Sequence, residues 1–211
     1  VGRCCFLRDG EQDNGGTVLD WGAGGGLWMR ALEAVGFTCH GVEWVEHEGH
    51  HPNIYSPIDI SKPIEQQFET GVRDYRCRRL VSEEFDFALC QSVLMYMDQK
   101  DAMQALRNVF ASFRTAAFLF TAGPEVALQY DKAGIFFPTP RMLQTMCREI
   151  GGEAVILNLL PQPEIQAGPA VLWMKSVEPF SSPVSYALAV RENFLREFHQ
   201  DGYHDDFSVT I

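Results

Sequence analysis

The stretch VLDWGAGGGLW, residues 18–28, decides the fold, because it places a run of glycines directly after a short apolar segment. A glycine-rich turn between a strand and a helix lets the backbone approach a ligand closely, and the helix N-terminus adds partial positive charge. The dinucleotide pattern GxGxxG would use Gly22 and Gly24 and would need a third small residue at position 27, where the chain has Leu27. The stretch therefore predicts a strand, a binding turn and a helix that depart from the dinucleotide pattern.

Asp20 stands two residues ahead of the first glycine, where a carboxylate would repel a phosphate. An acid in this place indicates a ligand that carries a cation. S-adenosylmethionine (SAM) is such a ligand, because it has an ammonium, a sulfonium and no phosphate, together with a carboxylate that the N–H groups of the turn can bind. The residues predicted to hold its methionine part are Asp20, Gly22, Ala23, Gly24 and Gly26.

VLDWGAGGG resembles the first motif of the class I, Rossmann-like SAM-dependent methyltransferases. Glu43 supports this resemblance, because it lies 17 residues after Gly26, where the family places the acid that binds both ribose hydroxyls. The resemblance implies that Trp44 packs on the adenine. It also implies that Asp59, which Ile60 follows, bonds the adenine amino group.

FDFALCQSVL, residues 85–94, is similar to the fourth motif of the same family. The resemblance implies that Gln91 and Ser92 lie at the methyl-donor pocket, and that SAM is the cofactor. By order of elements it covers roughly residues 17–177.

Apolar runs of strand length alternate with segments of helical period, which predicts a doubly wound α/β fold. The resemblance implies a Rossmann-like three-layer sandwich around a mostly parallel, seven-stranded sheet, with six parallel strands and one reversed strand in an antiparallel C-terminal hairpin. The predicted strands cover residues 17–20, 38–43, 54–58, 85–90, 116–121, 154–160 and 170–177. The predicted helices begin after the glycine turn, at Asp98 and at Thr139, and a closing helix covers residues 184–200.

The helix after the glycine turn has Trp28, Ala31, Leu32 and Val35 on one face. Because these side chains recur at helical spacing, we expect that face to be buried and Trp28 to belong to the core.

The totals favour one domain over residues 1–211 and argue against a nucleic-acid partner. There are 28 acidic and 17 basic residues, a net charge of -11, whereas nucleic-acid affinity comes mainly from neutralising phosphates. Six cysteines without a CxxC pair predict a reducing, cytoplasmic location. No apolar run approaches the ~18 residues of a membrane span, and no signal-peptide pattern opens the chain.

The acceptor side is less readable. The (Asn/Asp)-Pro-Pro-(Tyr/Phe) motif of amino-methylating DNA enzymes is absent, since residues 91–94 read QSVL, and with the acidic charge this favours a small-molecule acceptor. No catalytic base is assigned, and the oligomeric state stays open. The predicted acceptor-pocket residues follow the fourth and fifth strands, and they are Tyr96, Glu125, Tyr130 and Phe136.

Two alternatives remain open from the sequence. One is an NAD(P)-dependent oxidoreductase that uses Glu43 for its ribose, against which Leu27 and Asp20 both speak. The other is a catalytically inactive SAM-binding partner subunit of the same fold.

One literal metal motif is present, because residues 47–51 read HEGHH and satisfy HExxH. Zinc binding by this motif needs a stable helix that puts both histidines on one face. Gly49 lies inside the motif and Pro52 follows it at once, so we expect a loop and no metal site.

Overall fold

In the computed structural model of the protein, residues 16–34, 36–45, 50–64, 85–122, 138–158, 167–175 and 208–210 are described. The helices are α1 (Leu27–Ala34), α2 (Gln99–Ser112) and α3 (Pro140–Ile150), and a 3-10 turn covers Leu94–Tyr96. The strands are β1 (Thr17–Trp21), β2 (Thr38–Val42), β3 (Ile54–Tyr55), β4 (Phe85–Gln91), β5 (Phe113–Ala122), β6 (Glu153–Asn158), β7 (Ala167–Met174) and β8 (Ser208–Thr210).

Within these residues the strands form one sheet, in the order β3-β2-β1-β4-β5-β7-β6-β8. The first five strands pair in parallel, whereas β7 is antiparallel to both β5 and β6. Six strands therefore run in one direction and β7 is inserted between β5 and β6 in the other, which confirms the predicted mostly parallel sheet with its antiparallel hairpin. The three-residue β8, antiparallel to β6, adds an edge strand that the sequence pattern does not indicate.

Helices cover both faces of the sheet. Along β1, Leu19 and Trp21 point into an apolar cluster with buried residues of α2 and α3, whereas Val18 points into a second cluster with Met29 of α1. This alternation is what a parallel sheet covered on both sides requires. The predicted three-layer sandwich is confirmed.

The two best marked helices begin where their caps predict. Asp98 accepts a hydrogen bond from the backbone N–H of Asp101 at the start of α2, and Thr139 accepts one from Met142 at the start of α3. These side chains satisfy backbone donors that have no partner inside the helix.

The predicted buried face of α1 is wrong at Trp28 and Ala31, which are exposed, whereas Leu32 packs against an apolar cluster as predicted. Met29 is the buried residue of this helix, whereas Trp28 is 45% exposed. The physical reason is the contact of α1 with β2: Met29 Sδ lies only 2.8 Å from where a Cβ on Gly41 would stand, so the missing side chain of Gly41 admits Met29. Trp28 consequently projects from the first turn of the helix, above the carboxyl edge of the sheet.

The predicted closing helix at residues 184–200 lies outside the described residues. No helix in the described part of the chain is both long and apolar enough to cross a membrane.

Asp86 ties β1 to β4 at the edge of the sheet opposite the glycine turn. Its Oδ2 accepts hydrogen bonds from the Thr17 N–H at 2.8 Å and the Thr17 hydroxyl at 2.9 Å, and its Oδ1 accepts one from Arg114. Burial alone would raise the pKa of Asp86, but these bonds to the ionised carboxylate outweigh it and hold the pKa below its usual value.

We expect Asp86→Asn to lower the melting temperature at pH 7 by roughly 5 °C, because a hydrogen bond to a charged group contributes about 2 kcal/mol. Since the pKa of Asp86 is lower in the folded state, this contribution is present above the unfolded pKa and disappears as the pH falls through the folded pKa. Melting curves of wild type and variant should therefore converge in acid. Glu153→Gln, at an exposed acid of β6, is the control. A difference that persists unchanged at pH 2 would contradict the assignment.

Candidate functional site

The glycine turn is fixed to the end of β2 by one oxygen. The main-chain carbonyl of Val42 accepts hydrogen bonds from the N–H groups of Gly22 at 2.9 Å and Ala23 at 3.0 Å. Gly22, Gly24 and Gly26 all have positive φ angles, of 78°, 53° and 81°, a region that side chains disfavour. The turn therefore takes a shape that depends on its glycines.

The glycines divide into two kinds by what surrounds them. A Cβ on Gly22 would lie 2.1 Å from Val93 Cγ2, and a Cβ on Gly26 would lie 2.6 Å from the Cβ of His51. A Cβ on Gly24 would meet nothing within 4 Å, and the same holds for Gly25. Gly22 and Gly26 are thus needed for packing inside the protein, whereas the middle of the turn borders open space that a ligand can fill.

Glu43 lies beside this open middle. Its Oε2 accepts a hydrogen bond from the Gly24 N–H at 2.7 Å, and its Oε1 accepts from the N–H groups of Trp44 at 2.8 Å and Val45 at 3.4 Å. A carboxylate can accept about four hydrogen bonds, so capacity for a ligand donor remains. The carboxylate is held in place by the backbone on both sides of it.

Asp20 lies at the end of β1, where it is 3% exposed. Burial, and second the negative charge of Glu43, raise the pKa of Asp20 from 3.8 to about 7. A cation placed between these two acids would offset both effects. The arrangement therefore suits a positively charged ligand group, as the sequence predicts.

The segment that carries Asp59 is brought to Glu43 by the backbone. The Glu43 N–H donates to Tyr55 O at 3.0 Å, and the Ile58 N–H donates to Glu43 O at 2.8 Å. Asp59 Oδ1 accepts from the Ser61 N–H at 3.0 Å and the Ser61 hydroxyl at 2.6 Å, which makes a tight local turn.

The side chain of Asn108 in α2 fixes the turn at residues 60–62, a role that the sequence does not indicate. Its carboxamide is 5% exposed and donates to the carbonyl oxygens of Ile60 and Lys62, both at 2.8 Å. Both amide hydrogens are therefore used on one turn. Ile60 itself is 6% exposed, so its side chain packs in the core and only its backbone borders the turn.

His51 supports the other end of the glycine turn and is also missed by sequence reasoning. Its Nδ1 accepts a hydrogen bond from the Asn53 N–H at 3.3 Å, so the hydrogen stands on Nε2, which donates to Glu33 Oε2 of α1 at 2.9 Å. Because its Cβ packs on Gly26, His51 fixes the start of α1.

His51 lies in a loop before β3, as expected for the HExxH stretch, of which residues 47–49 lie outside the described residues. Across the described ranges, no group of three or more histidine, cysteine or acidic side chains could hold a metal ion.

At the end of β4, Gln91 and Ser92 lie next to the glycine turn. Ser92 has a φ of 55° and leads into Val93, whose side chain packs on Gly22. Within the described residues, the only buried side-chain nitrogen or oxygen without a hydrogen-bond partner is Oε1 of Gln91. A buried carbonyl oxygen without a partner costs free energy, which a ligand donor would recover.

Of the remaining predicted site residues, two lie in the described part of the chain. Trp44 is 60% exposed and Tyr96 is 76% exposed, so both rings border solvent at the carboxyl edge of the sheet. Glu125, Tyr130 and Phe136 lie outside the described residues.

A protein-family model described as a methyltransferase domain matches residues 6–151. No curated protein sequence matches the chain.

Solved structures with similar folds are SAM-dependent methyltransferases. A possible histamine N-methyltransferase from Thermotoga maritima has a TM-score of 0.55 and 17% identity over 82% of this chain and 85% of that one. Magnesium protoporphyrin IX methyltransferase from Synechocystis, with bound S-adenosylhomocysteine (SAH), has a TM-score of 0.54 and 13% identity over 77% and 75% of the two chains.

A third similar structure is 1,6-didemethyltoxoflavin-N1-methyltransferase from Burkholderia thailandensis, with bound 1,6-didemethyltoxoflavin and SAH. Its TM-score is 0.54, and its identity is 16% over 77% of this chain and 72% of that one. At these identities the likeness shows the fold.

We expect Asp20→Asn to stabilise the protein without ligand at pH 8.5. Because the folded pKa of Asp20 is raised, stability is fully present below the unfolded pKa of 3.8 and is lost as the pH rises through about 7. The neutral amide avoids this loss, which is up to about 4 kcal/mol and corresponds to up to roughly 8–16 °C in melting temperature. The gain should shrink as the pH is lowered to 5. A variant that melts below wild type at pH 8.5 would show that the charge of Asp20 is compensated.

Proposed function

Because the chain belongs to the SAM-dependent methyltransferases, we propose that it transfers the methyl group of SAM to a small-molecule acceptor. The observation that carries the cofactor half of this proposal is the pair of acids, Asp20 and Glu43, on either side of the open turn at Gly24. Membership of this family argues against the oxidoreductase alternative, and an assay for a methylated product separates an active enzyme from an inactive SAM-binding partner subunit.

The residues of the turn fit the methionine part of SAM. The open space beside Gly24 and Gly25 leaves room for the methionine part next to the turn, and the buried acid Asp20 suits the ammonium. When bound, SAM supplies a methyl group on a positively charged sulfur, so the acceptor atom has to bring its own electron pair and finally lose a proton to solvent.

The adenosine part is assigned to the neighbouring segment. Glu43, held by three backbone N–H groups, retains one of its about four acceptor positions for a ribose hydroxyl. Trp44 offers an exposed ring to the adenine, and Asp59 lies in a turn fixed by Ser61 and Asn108, next to Ile60. Gln91 and Ser92 complete the set at the methyl-donor end.

The acceptor is proposed to be a small molecule for two reasons. A net charge of -11 opposes binding to nucleic acid, and residues 91–94 lack the motif of amino-methylating DNA enzymes. The Synechocystis and Burkholderia proteins carry small-molecule acceptors in their names, a porphyrin and a toxoflavin precursor. Tyr96, Glu125, Tyr130 and Phe136 remain the proposed acceptor-pocket residues.

No catalytic base is proposed. Methyl transfer is an in-line displacement, and much of its rate comes from holding donor and acceptor aligned. The three described cysteines, Cys39, Cys90 and Cys147, are buried free thiols, and burial raises the pKa of Cys39 and Cys90 to about 12. Buried thiols of this kind react poorly.

From the six cysteines without a CxxC pair, we propose a reducing, cytoplasmic location for the protein.

We expect SAH, at about 100 times its dissociation constant, to add ~2.7 kcal/mol of stability and to raise the melting temperature by roughly 5–10 °C. Glu43→Ala should lose this shift, because the acceptors for the ribose are removed. Glu153→Ala, at an exposed acid of β6, should keep it. Thermal-shift titrations with SAH, NAD and NADP in parallel make the measurement. A shift with NAD alone would refute the proposal.

We expect Asn108→Asp to weaken SAH and adenosine by a similar factor, about tenfold. The change keeps the shape of the side chain but removes both N–H donors to the turn at residues 60–62, which leaves two carbonyl oxygens unpaired. Gln144→Glu is the matched control, because Gln144 is also buried and donates to a main-chain carbonyl, that of Ala154.

Calorimetric titration of both variants distinguishes a role of Asn108 in cofactor binding from a role in folding alone. Gln144→Glu should lower the melting temperature and leave SAH affinity unchanged. If Asn108→Asp loses stability but keeps its affinity for adenosine, Asn108 only stabilises the fold.

A further inference from the structure

The carboxyl edge of the sheet carries an unusual share of exposed apolar side chains. Every described exposed large apolar residue follows the carboxyl end of β1, β2, β4 or β5 along the chain. They are Leu27, Trp28, Trp44, Val45, Tyr96 and Met142. Leu27 and Trp28 lie in the first turn of α1 and Trp44 and Val45 closely follow β2, so four of the six come after the carboxyl ends of two paired strands.

One aromatic pair in this set crosses the end of β4. The indole of Trp28, just after β1, stacks on the ring of Phe120 of β5, with centroids 6.3 Å apart and planes at 13°. Since β4 lies between β1 and β5, the indole reaches past β4 to make this contact. The two rings therefore stand over the end of β4.

Gln91 is the residue of β4 at this level. It is paired in register with Phe120, and neighbours in register point to the same face of a sheet. Two residues earlier on the same face, Leu89 is paired in register with Asp20. Gln91 thus lies between the acid assigned to the methionine part and the aromatic pair.

Oε1 of Gln91 is buried and has no hydrogen-bond partner within the described residues. The described histidines near the glycine turn cannot serve it, because His51 is bonded to Glu33 and His40 to the Tyr55 hydroxyl. A neutral amide oxygen accepts a hydrogen bond but does not retain a proton at neutral pH. It can therefore orient an N–H or O–H group, but it cannot act as a base.

We propose that Gln91 and the Trp28–Phe120 pair bind the acceptor, which is a flat aromatic molecule with an N–H or aryl O–H as the methylated group. The rings bind its apolar body, and Gln91 Oε1 accepts a hydrogen bond from the group that reacts. Because the amide of Gln91 does not take up a proton, the proposed nucleophile is an amine or an acidic aryl hydroxyl, whose proton passes to water. This inference rests on the proposed cofactor site.

The test uses SAH-saturated protein and four probes in two pairs. 2-Naphthol is compared with 2-methoxynaphthalene, and 1-naphthylamine with its N,N-dimethyl derivative, by ligand-observed NMR titration. In each pair the aromatic body is the same, and the methylated member has methyl groups in place of the donor hydrogens, so the Gln91 variant below is needed to separate the lost hydrogen bond from the added volume. We expect at least one donor-bearing probe to bind about tenfold more tightly than its methylated partner, the effect of one buried hydrogen bond. The pair that discriminates identifies the group as O–H or N–H.

Three variants separate the roles. Gln91→Met, similar in length and without an acceptor, should bring the ratio within that pair to about one when the protein is kept saturated with SAH. Trp28→Ala should weaken both members of the pair equally. Trp44→Ala is the matched tryptophan control, which should weaken SAH and leave the ratio as in wild type.

Two outcomes overturn the inference: no probe binds to the SAH complex, or SAH-saturated Gln91→Met keeps the preference. Failure of the proposed function is distinct, because wild-type protein would then show no SAH binding before any probe is added.

Discussion

The main-chain oxygen of Val42 is the point on which the site depends. Because it accepts from both Gly22 and Ala23, the turn after β1 cannot shift relative to the end of β2. The next residue is Glu43, whose Oε2 thereby lies 2.7 Å from the backbone nitrogen of Gly24. One carbonyl thus fixes the glycine turn relative to Glu43. The backbone hydrogen bonds of Glu43 with Tyr55 and Ile58 in turn hold the segment that leads to Asp59.

These backbone bonds bring the buried Asp20 close to the partly buried Glu43, and the proximity of the two acids costs stability in the protein without ligand. A pKa of about 7 at Asp20 means that near neutral pH the carboxyl is about half protonated, and a cationic ligand shifts it to the ionised form. Ligand binding and proton release are therefore coupled. Asp86, at the opposite edge of the sheet, shows the contrast, because Thr17 and Arg114 stabilise its charge and its pKa is lowered. The surroundings of Asp20 destabilise its charged form, whereas those of Asp86 stabilise its charged form.

The sequence predicted the elements whose causes are local. Glycines at fixed spacing, Asp98 and Thr139 as caps, and Glu43 at the end of β2 each act within a few residues of their own position, and their elements stand where expected. The burial of Trp28 was predicted wrongly because helical period alone does not tell which side chain a neighbouring strand admits. Gly41 decides that, by making room for Met29.

Asn108 and His51 show why other parts of the site could not be read in advance. An asparagine inside a helix and a histidine in a loop have no pattern of their own, and they gain a role only when the fold brings α2 to residues 60–62 and β3 to α1. The same reason separates the two halves of the site. The residues proposed for the cofactor follow the ends of successive strands along the chain, whereas the Trp28–Phe120 pair, proposed to bind the acceptor, forms only when the fold brings α1 to β5.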